Sequence, residues 1–381
     1  MTARGFYTLL FGLLMLATAL SVSSEGAFLL GCAALIAWAL ALLSVLLALF
    51  TCRISQEAAG GQPLRGVPCA FRLSVRMGSI LPIAPLSLRV TLPSGRVSEF
   101  MLPVRTIGTT HSENEFACPH VGVYPVGVTR VRFGDCFGLF SLGTAIRTPL
   151  PELTVLPNPA QAQPLEFSPG EGESSTVQRA LADLTTPSDT RAGQEGDELK
   201  RVHWKLSLRK QTLMVRTYET PQRPDALILL DFSTPDTPAA LRAGCIDALT
   251  EGCAGVIRLL LEEQHAVHMP LPGKGARELS GERMDAFAGM QMALARERFA
   301  QRIDFARTLY AAARRMRRTG SAVILTTTLT PAVADAAIAL RRTGPRTRFY
   351  LYTASEPTQE QSKLLHLLAS SDVQTEHAVL R

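Results

Sequence analysis

The sequence predicts a multi-domain, membrane-anchored chain: a transmembrane helical hairpin, then a β-sandwich domain, then a doubly wound α/β domain. Three observations predict it. Two long apolar runs stand at the amino terminus. Short strands of period two follow them. Beyond residue 224, continuous apolar strands alternate with helical periods. The expected boundaries are 1–53 for the hairpin, 54–153 for the β-sandwich, 154–224 for a linker with a motif-rich segment, and 225–381 for the α/β domain. A chain of 381 residues suits more than one domain and needs no disulfide staple.

Phe6 to Val22 and Gly26 to Phe50 are the two apolar runs. A span needs about 20 such residues to cross the hydrocarbon of a bilayer. Ser21-Val-Ser-Ser-Glu-Gly26 between them reads as a tight polar turn. A cleaved signal peptide is the competing reading of the first run. Against it, a second span follows at once, where a secreted chain would begin its soluble part. Arg4 and Arg53 flank the pair and Glu25 sits in its turn. Positive charge stays on the cytoplasmic side, so both ends and the soluble domains are expected in the cytoplasm. The seven cysteines form no C-x-x-C pair, which suits reduced thiols used as small apolar residues. The net charge of +6 comes with no nucleic-acid recognition motif, so no nucleic-acid partner is expected.

Cys69–Val75, Leu86–Leu92 and Val126–Phe133 alternate apolar and polar residues, the pattern of half-buried strands. Pro93-Ser-Gly95, Gly122, Gly127 and Gly134 punctuate them. Several strands at this spacing suggest a sandwich of immunoglobulin-like general form. Phe137, Leu139 and Phe140 are expected in its core. Ser168-Pro-Gly-Glu-Gly-Glu-Ser-Ser175 has linker composition.

The motif-rich segment packs Arg191, Gly196, Asp197, Arg201, His203, Trp204, Lys205, Ser207 and Arg209 into one short run. Glu198 to Leu208 reads as a helix capped by Asp197, with Leu199, Val202 and Leu206 on its apolar stripe. His203 and Ser207 stand one turn apart, the spacing of a base and a nucleophile, but no oxyanion-hole glycine motif accompanies them. His203 and Asp197 are too few ligands for a metal. Lys200, Arg201, Lys205, Arg209 and Lys210 suit phosphate or an acidic partner. The reading that accounts for most of the segment is structural. Arg201 pairs with Asp197 or Glu219, and Trp204 is a buried anchor.

In the last region Ala226–Leu230, Ser321–Leu325 and Arg348–Tyr352 read as core strands, and His265–Met269 as a shorter one. Thr237-Pro238 is expected to start a helix whose buried stripe is Leu241, Cys245, Leu249, Cys253, Val256 and Leu260. Phe299, Ile303, Ala306 and Tyr310 mark another, ending at Arg314–Arg318, and Pro331–Arg342 a third. Alternation of strand and helix gives the doubly wound sheet.

The run Arg191, Gly196, Asp197, Arg201, His203, Trp204, Lys205, Ser207, Arg209, Leu213, Val215 and Glu219 resembles the signature of a bacterial membrane-protein family known as domain of unknown function 58. Gly193 and Leu208 depart from it. Gly122-Val-Tyr-Pro-Val-Gly127 and Gly134-Asp-Cys-Phe-Gly-Leu-Phe140 resemble further family patterns, with Val121, Val126 and Cys136 as departures. The resemblance implies a two-pass protein of the bacterial inner membrane with a von Willebrand factor A-like C-terminal domain. It also implies a link to a MoxR-type AAA+ ATPase in complex assembly or envelope-related processes. The sequence itself shows no converging set of titratable residues, so the chain reads as a cytosol-facing adaptor or scaffold without catalysis of its own. A membrane-associated metal-dependent or hydrolytic enzyme is the alternative. The fold so implied often holds Mg²⁺ through Asp-x-Ser-x-Ser, a Thr and a later Asp. Here Asp231, Ser233 and Thr326 are the degenerate counterparts. Pro235 replaces the second Ser, and Thr326-Thr-Thr328 offers no carboxylate, so little Mg²⁺ binding is expected.

Overall fold

The computed structural model describes residues 2–59, 61–146, 149–165, 189–192, 202–217, 224–272, 277–299, 304–314 and 319–379. The chain divides into two compact units, Met1–Asn158 and Pro159–Arg381.

The first unit opens with two apolar helices, α1 (Ala3–Val22) and α2 (Glu25–Thr51). Thr2 and Ser24 cap them by accepting from the backbone N–H groups of Gly5 and Ala27. Ser23, in the left-handed conformation, reverses the chain between them. Small residues let the helices approach: Gly12 lies against Leu35 and Gly31 against Leu16. Both are long and apolar enough to cross a membrane.

A sheet-rich region follows, its named strands paired antiparallel. Strands β1 (Arg53–Ala59), β2 (Pro68–Gly78) and β5 (Ile107–Ala117) form one sheet in the order β1-β2-β5. Strands β3 (Leu86–Thr91), β4 (Val97–Leu102), β7 (Gly127–Gly134) and β8 (Ser141–Ala145) form a second, ordered β4-β3-β7-β8. Strands β6 (Gly122–Pro125) and β9 (Glu152–Val155) pair alone. Alternation in β2 buries Phe71, Leu73 and Val75. Leu86, Leu88 and Val90 from β3, with Val128, Val131 and Phe133 from β7, fill the same core.

That core has a further wall. Ala41, Val45 and Ala48 of α2 are buried in it, and Trp38, Leu42 and Leu49 pack beside them. Trp38 donates its indole N–H to the Gly5 carbonyl, 3.0 Å away, so α1 begins level with Trp38. Beyond that level α2 runs on for roughly 13 residues, or about 20 Å. Helix α2 therefore has two parts, one lying along α1 and one presenting Ala41, Val45 and Ala48 to the sheet core.

In the second unit, β10 (Asp189–Ala192) pairs with β11 (Met214–Thr217), and the short helix α3 (Trp204–Lys210) precedes β11. A six-stranded mixed sheet then carries the fold. Its strands are β12 (Asp225–Leu230), β13 (Val267–Leu271), β14 (Arg277–Gly281), β15 (Thr319–Thr326), β16 (Arg346–Thr353) and β17 (Val373–Val379), in the order β14-β13-β12-β15-β16-β17. Only β14 runs antiparallel to its neighbour. Helices α4 (Ala239–Glu262) and α5 (Phe287–Arg296) cover one face of the sheet. Helices α6 (Phe305–Ala313), α7 (Pro331–Arg342) and α8 (Gln359–Ser370) cover the other. The apolar runs in β12, β15 and β16 are buried because helices lie on both sides.

Several details differ from the sequence expectation. Helix α4 starts at Ala239, with Pro238 rather than Thr237 at its cap, and Leu241 in its first turn is exposed. Helix α6 starts at Phe305 behind the Asp304 cap, while Phe299 precedes it and packs on Phe232. Tyr310 is half exposed. Ile303 and 315–318 lie outside the described residues. Strands β14 and β17 and helices α5 and α8 are not among the sequence expectations.

Candidate functional site

The motif-rich segment is held together by backbone groups. Val202 bridges to Val215, and the His203 N–H donates to the Met214 carbonyl at 2.8 Å. The chain before α3 is thus tied to the strand after it, and the helix starts at Trp204, not Glu198. His203 is the cap: its Nδ1 accepts from the Leu206 N–H at 3.2 Å. Ser207 is buried, and its hydroxyl bridges the two elements. It donates to the His203 carbonyl at 3.0 Å and accepts from the Met214 N–H at 2.8 Å. Gln211, left-handed at φ 52°, closes the helix.

The two residues spaced like base and nucleophile therefore do structural work. The Ser207 hydroxyl faces the carbonyl of His203, and the imidazole of His203 is turned to the backbone of Leu206. A general base needs its ring nitrogen within reach of the hydroxyl proton, and this arrangement does not place it there.

Trp204 reverses the expectation of a buried anchor. It is 58% exposed, and Leu208, one turn on, is 80% exposed. Residues four apart share a helix face, so the two form one apolar stripe. Leu213 is also exposed. Lys205 and Arg209, again four apart, stand exposed on the adjacent stripe. Gly196, Asp197 and Arg201 lie outside the described residues.

The degenerate Asp231 cluster does assemble. Asp231 follows β12 and is buried. Its Oδ1 accepts from the Ser233 N–H at 2.9 Å, and its Oδ2 accepts from the Thr326 hydroxyl at 2.7 Å. Thr326 ends β15, the neighbour of β12, so the pair sits at the carboxyl ends of central strands where the chain order switches sides. Thr327 is buried with its hydroxyl unpartnered among the described residues. The donor set is one carboxylate and neutral oxygens, and no group of three His, Cys, Asp or Glu converges among the described residues. One negative charge faces the two of Mg²⁺, and both carboxylate oxygens already accept hydrogen bonds, so the residues present do not fit a resident ion.

A second motif lies in the first unit. Asp135, which follows β7, is buried and accepts from the N–H groups of Phe137 at 2.9 Å and Phe140 at 2.6 Å. Gly138, at φ 71°, completes the turn. Leu139 and Phe140 enter the core as expected. Phe137 does not: it is 66% exposed. The first unit also carries an exposed strip of Arg89, Arg130 and Arg132 on β3 and β7, in which Arg89 pairs with Glu99 at 2.8 Å.

No protein-family profile matches the chain, and no curated protein matches it. Among solved structures it is similar to Cwp6 from Clostridium difficile, at 10% identity and TM-score 0.19, over 86% of this chain and 37% of that one. It thus spans well under half of the Cwp6 chain. It is also similar to an exo-β-N-acetylglucosaminidase from Vibrio harveyi, solved with N-acetylglucosamine, at 11% identity and TM-score 0.21, over 86% and 82% of the two chains. At such TM-scores neither likeness carries an argument about fold or activity.

Proposed function

We propose that the chain is a membrane-anchored adaptor of the domain-of-unknown-function 58 kind. In this reading α1 and α2 cross the bacterial inner membrane, and both soluble parts lie in the cytoplasm. The sheet-rich region is an immunoglobulin-like sandwich, and the second unit is a von Willebrand factor A-like domain that docks a MoxR-type AAA+ ATPase. The observation that carries the reading is the exposed stripe of Trp204 and Leu208 beside Lys205 and Arg209. A large exposed indole flanked by cations is the composition of an interface anchor. The polar residues beneath it, His203 and Ser207, are occupied in holding the helix, which favours a binding surface over a hydrolytic centre.

Binding of a purified MoxR-type ATPase to the full-length chain in detergent tests this. Trp204→Ala and Leu208→Ala should each weaken binding about tenfold or more, corresponding to about 1.4 kcal/mol. Unchanged affinity in both variants, or no binding by the wild-type chain, overturns the docking surface. Topology is tested separately with reporters fused after Arg381. A reporter active only in the periplasm overturns the orientation inferred from Arg4, Arg53 and Glu25.

A further inference from the structure

We propose that the turn Asp135–Phe140 is a second membrane contact, in which Phe137 enters the headgroup–acyl boundary of the bilayer that α1 and α2 cross. The inference rests on reading those helices as membrane spans.

Position is the first argument. The turn is hydrogen-bonded to the very start of α1: the Thr2 N–H donates to the Leu139 carbonyl at 3.0 Å, and the Thr2 hydroxyl contacts the Gly138 and Leu139 carbonyls at 2.8 and 2.7 Å. The Phe140 ring packs edge-on against Trp38, with centroids 5.1 Å apart. Trp38 in turn donates to Gly5, in the first turn of α1. Thus the turn sits where α1 begins and where α2 passes from lying along α1 into the sheet core. Tryptophan with its indole N–H bonded is an ordinary residue at the interface of a bilayer.

The build of the turn is the second argument. The Asp135 carboxylate accepts the N–H groups of Phe137 and Phe140, and its carbonyl accepts that of Gly138, so three N–H groups of the turn are satisfied within it. A loop that meets lipid needs this, because unsatisfied N–H groups are costly there. The same clamp folds Leu139 and Phe140 inward and leaves Phe137 outside at 66% exposure. The Arg4 guanidinium lies beside Gly138, 3.7 Å from where a Cβ would stand. A cation next to an exposed ring at this level suits lipid phosphate above and acyl chain below. Helix α1, to whose start the turn is bonded, also exposes Phe6 and Tyr7 in its first turns.

The experiment places the photoreactive phenylalanine analogue p-benzoylphenylalanine at single positions of the full-length chain. The protein is reconstituted in vesicles of phosphatidylethanolamine and phosphatidylglycerol, and lipid adducts are read as mass shifts. Ile36, exposed on α2, reports the span itself. Phe137 reports the proposal. Ser94 is the control. It is exposed in the turn between β3 and β4, and the register Ser87↔Arg132 and Thr91↔Gly127 puts that turn at the opposite end of β7. Eight strand residues separate the two ends by about 26 Å. Adducts at 36 and 137 and none at 94 are expected. Adducts at 36 without any at 137 overturn the inference and leave the span reading standing. No adduct at 36 overturns both. All three sites are exposed, so none of the replacements threatens the fold.

Discussion

The Asp135–Phe140 turn and the Val202–Lys210 segment were both marked by motif, and they resolve in the same way. In each, a polar residue of the motif is occupied by nearby backbone. Asp135 holds Phe137 and Phe140 N–H groups, and Ser207 holds the Met214 N–H. In each, an aromatic is left outside: Phe137 in one and Trp204 in the other. They differ in what they are tied to. The turn is fastened to Thr2 and Trp38, at two apolar helices, whereas α3 is fastened to the strand that follows it. The lesson is that a motif residue's chemistry is decided by which backbone donors stand near it. The residue left over for a partner is the apolar one.

The largest expected effect separates the two segments by removing the helices. A fragment Ile54–Asn158 lacks Ala41, Val45 and Ala48 from its core, and Thr2 and Trp38 from its turn. Burying Val45 contributes about 1.5–3 kcal/mol and each alanine methyl about 0.8, and a region of this size has little more than about 5–15 to lose. This fragment should aggregate or melt without a cooperative transition. A fragment starting at Pro159 should melt cooperatively. Cooperative melting of the Ile54 fragment near the full-chain temperature would show that α2 is not part of the core.

Asp135→Ala comes next. It leaves the N–H groups of Phe137 and Phe140 without their acceptor, and hydrogen bonds to a charged group are worth about 1.5–3 kcal/mol each. A loss of about 3 kcal/mol is expected in the full-length chain by denaturant unfolding. Ser207→Ala should cost less, about 1–3 kcal/mol, because it orphans the single Met214 N–H. A larger loss for Ser207→Ala than for Asp135→Ala would reverse the ranking of the two segments.

Much of this was legible in the sequence, for definite reasons. The period-two runs became β2, β3 and β7 because one face of each meets a core. Thr330-Pro331 began α7 as a cap and a first-turn proline. That α2 lies along α1 in one part and against the sheet core in the other was not legible. Leu42-Leu-Ser-Val-Leu-Leu-Ala48 suits lipid and protein core equally, so composition cannot mark where one ends and the other begins. Trp204 departs from its expected burial. Size and apolarity argue for burial wherever a helix has a buried side. Here the buried side of α3 is only one residue wide: Ser207 is its sole buried member. The bond from Ser207 to Met214 spans seven residues with no periodic signal. Likewise the Asp231–Thr326 pair forms because two strands far apart in the chain lie side by side, which spacing alone does not reveal.

The smallest effect is the one that tests the comparison most sharply. Trp204→Ala and Phe137→Ala remove large aromatics, and in a core such truncations cost about 3–5 kcal/mol. Both rings are more than half exposed, so little area leaves contact with the protein. Exposed substitutions of this kind stay within about 0.5 kcal/mol. Denaturant midpoints of the full-length variants should therefore be close to wild type, while Trp204→Ala loses ATPase binding. Should Trp204→Ala cost as much as Asp135→Ala, the indole is buried by the protein in solution. In that case α3 is a packed element, and its apolar stripe is not a docking face.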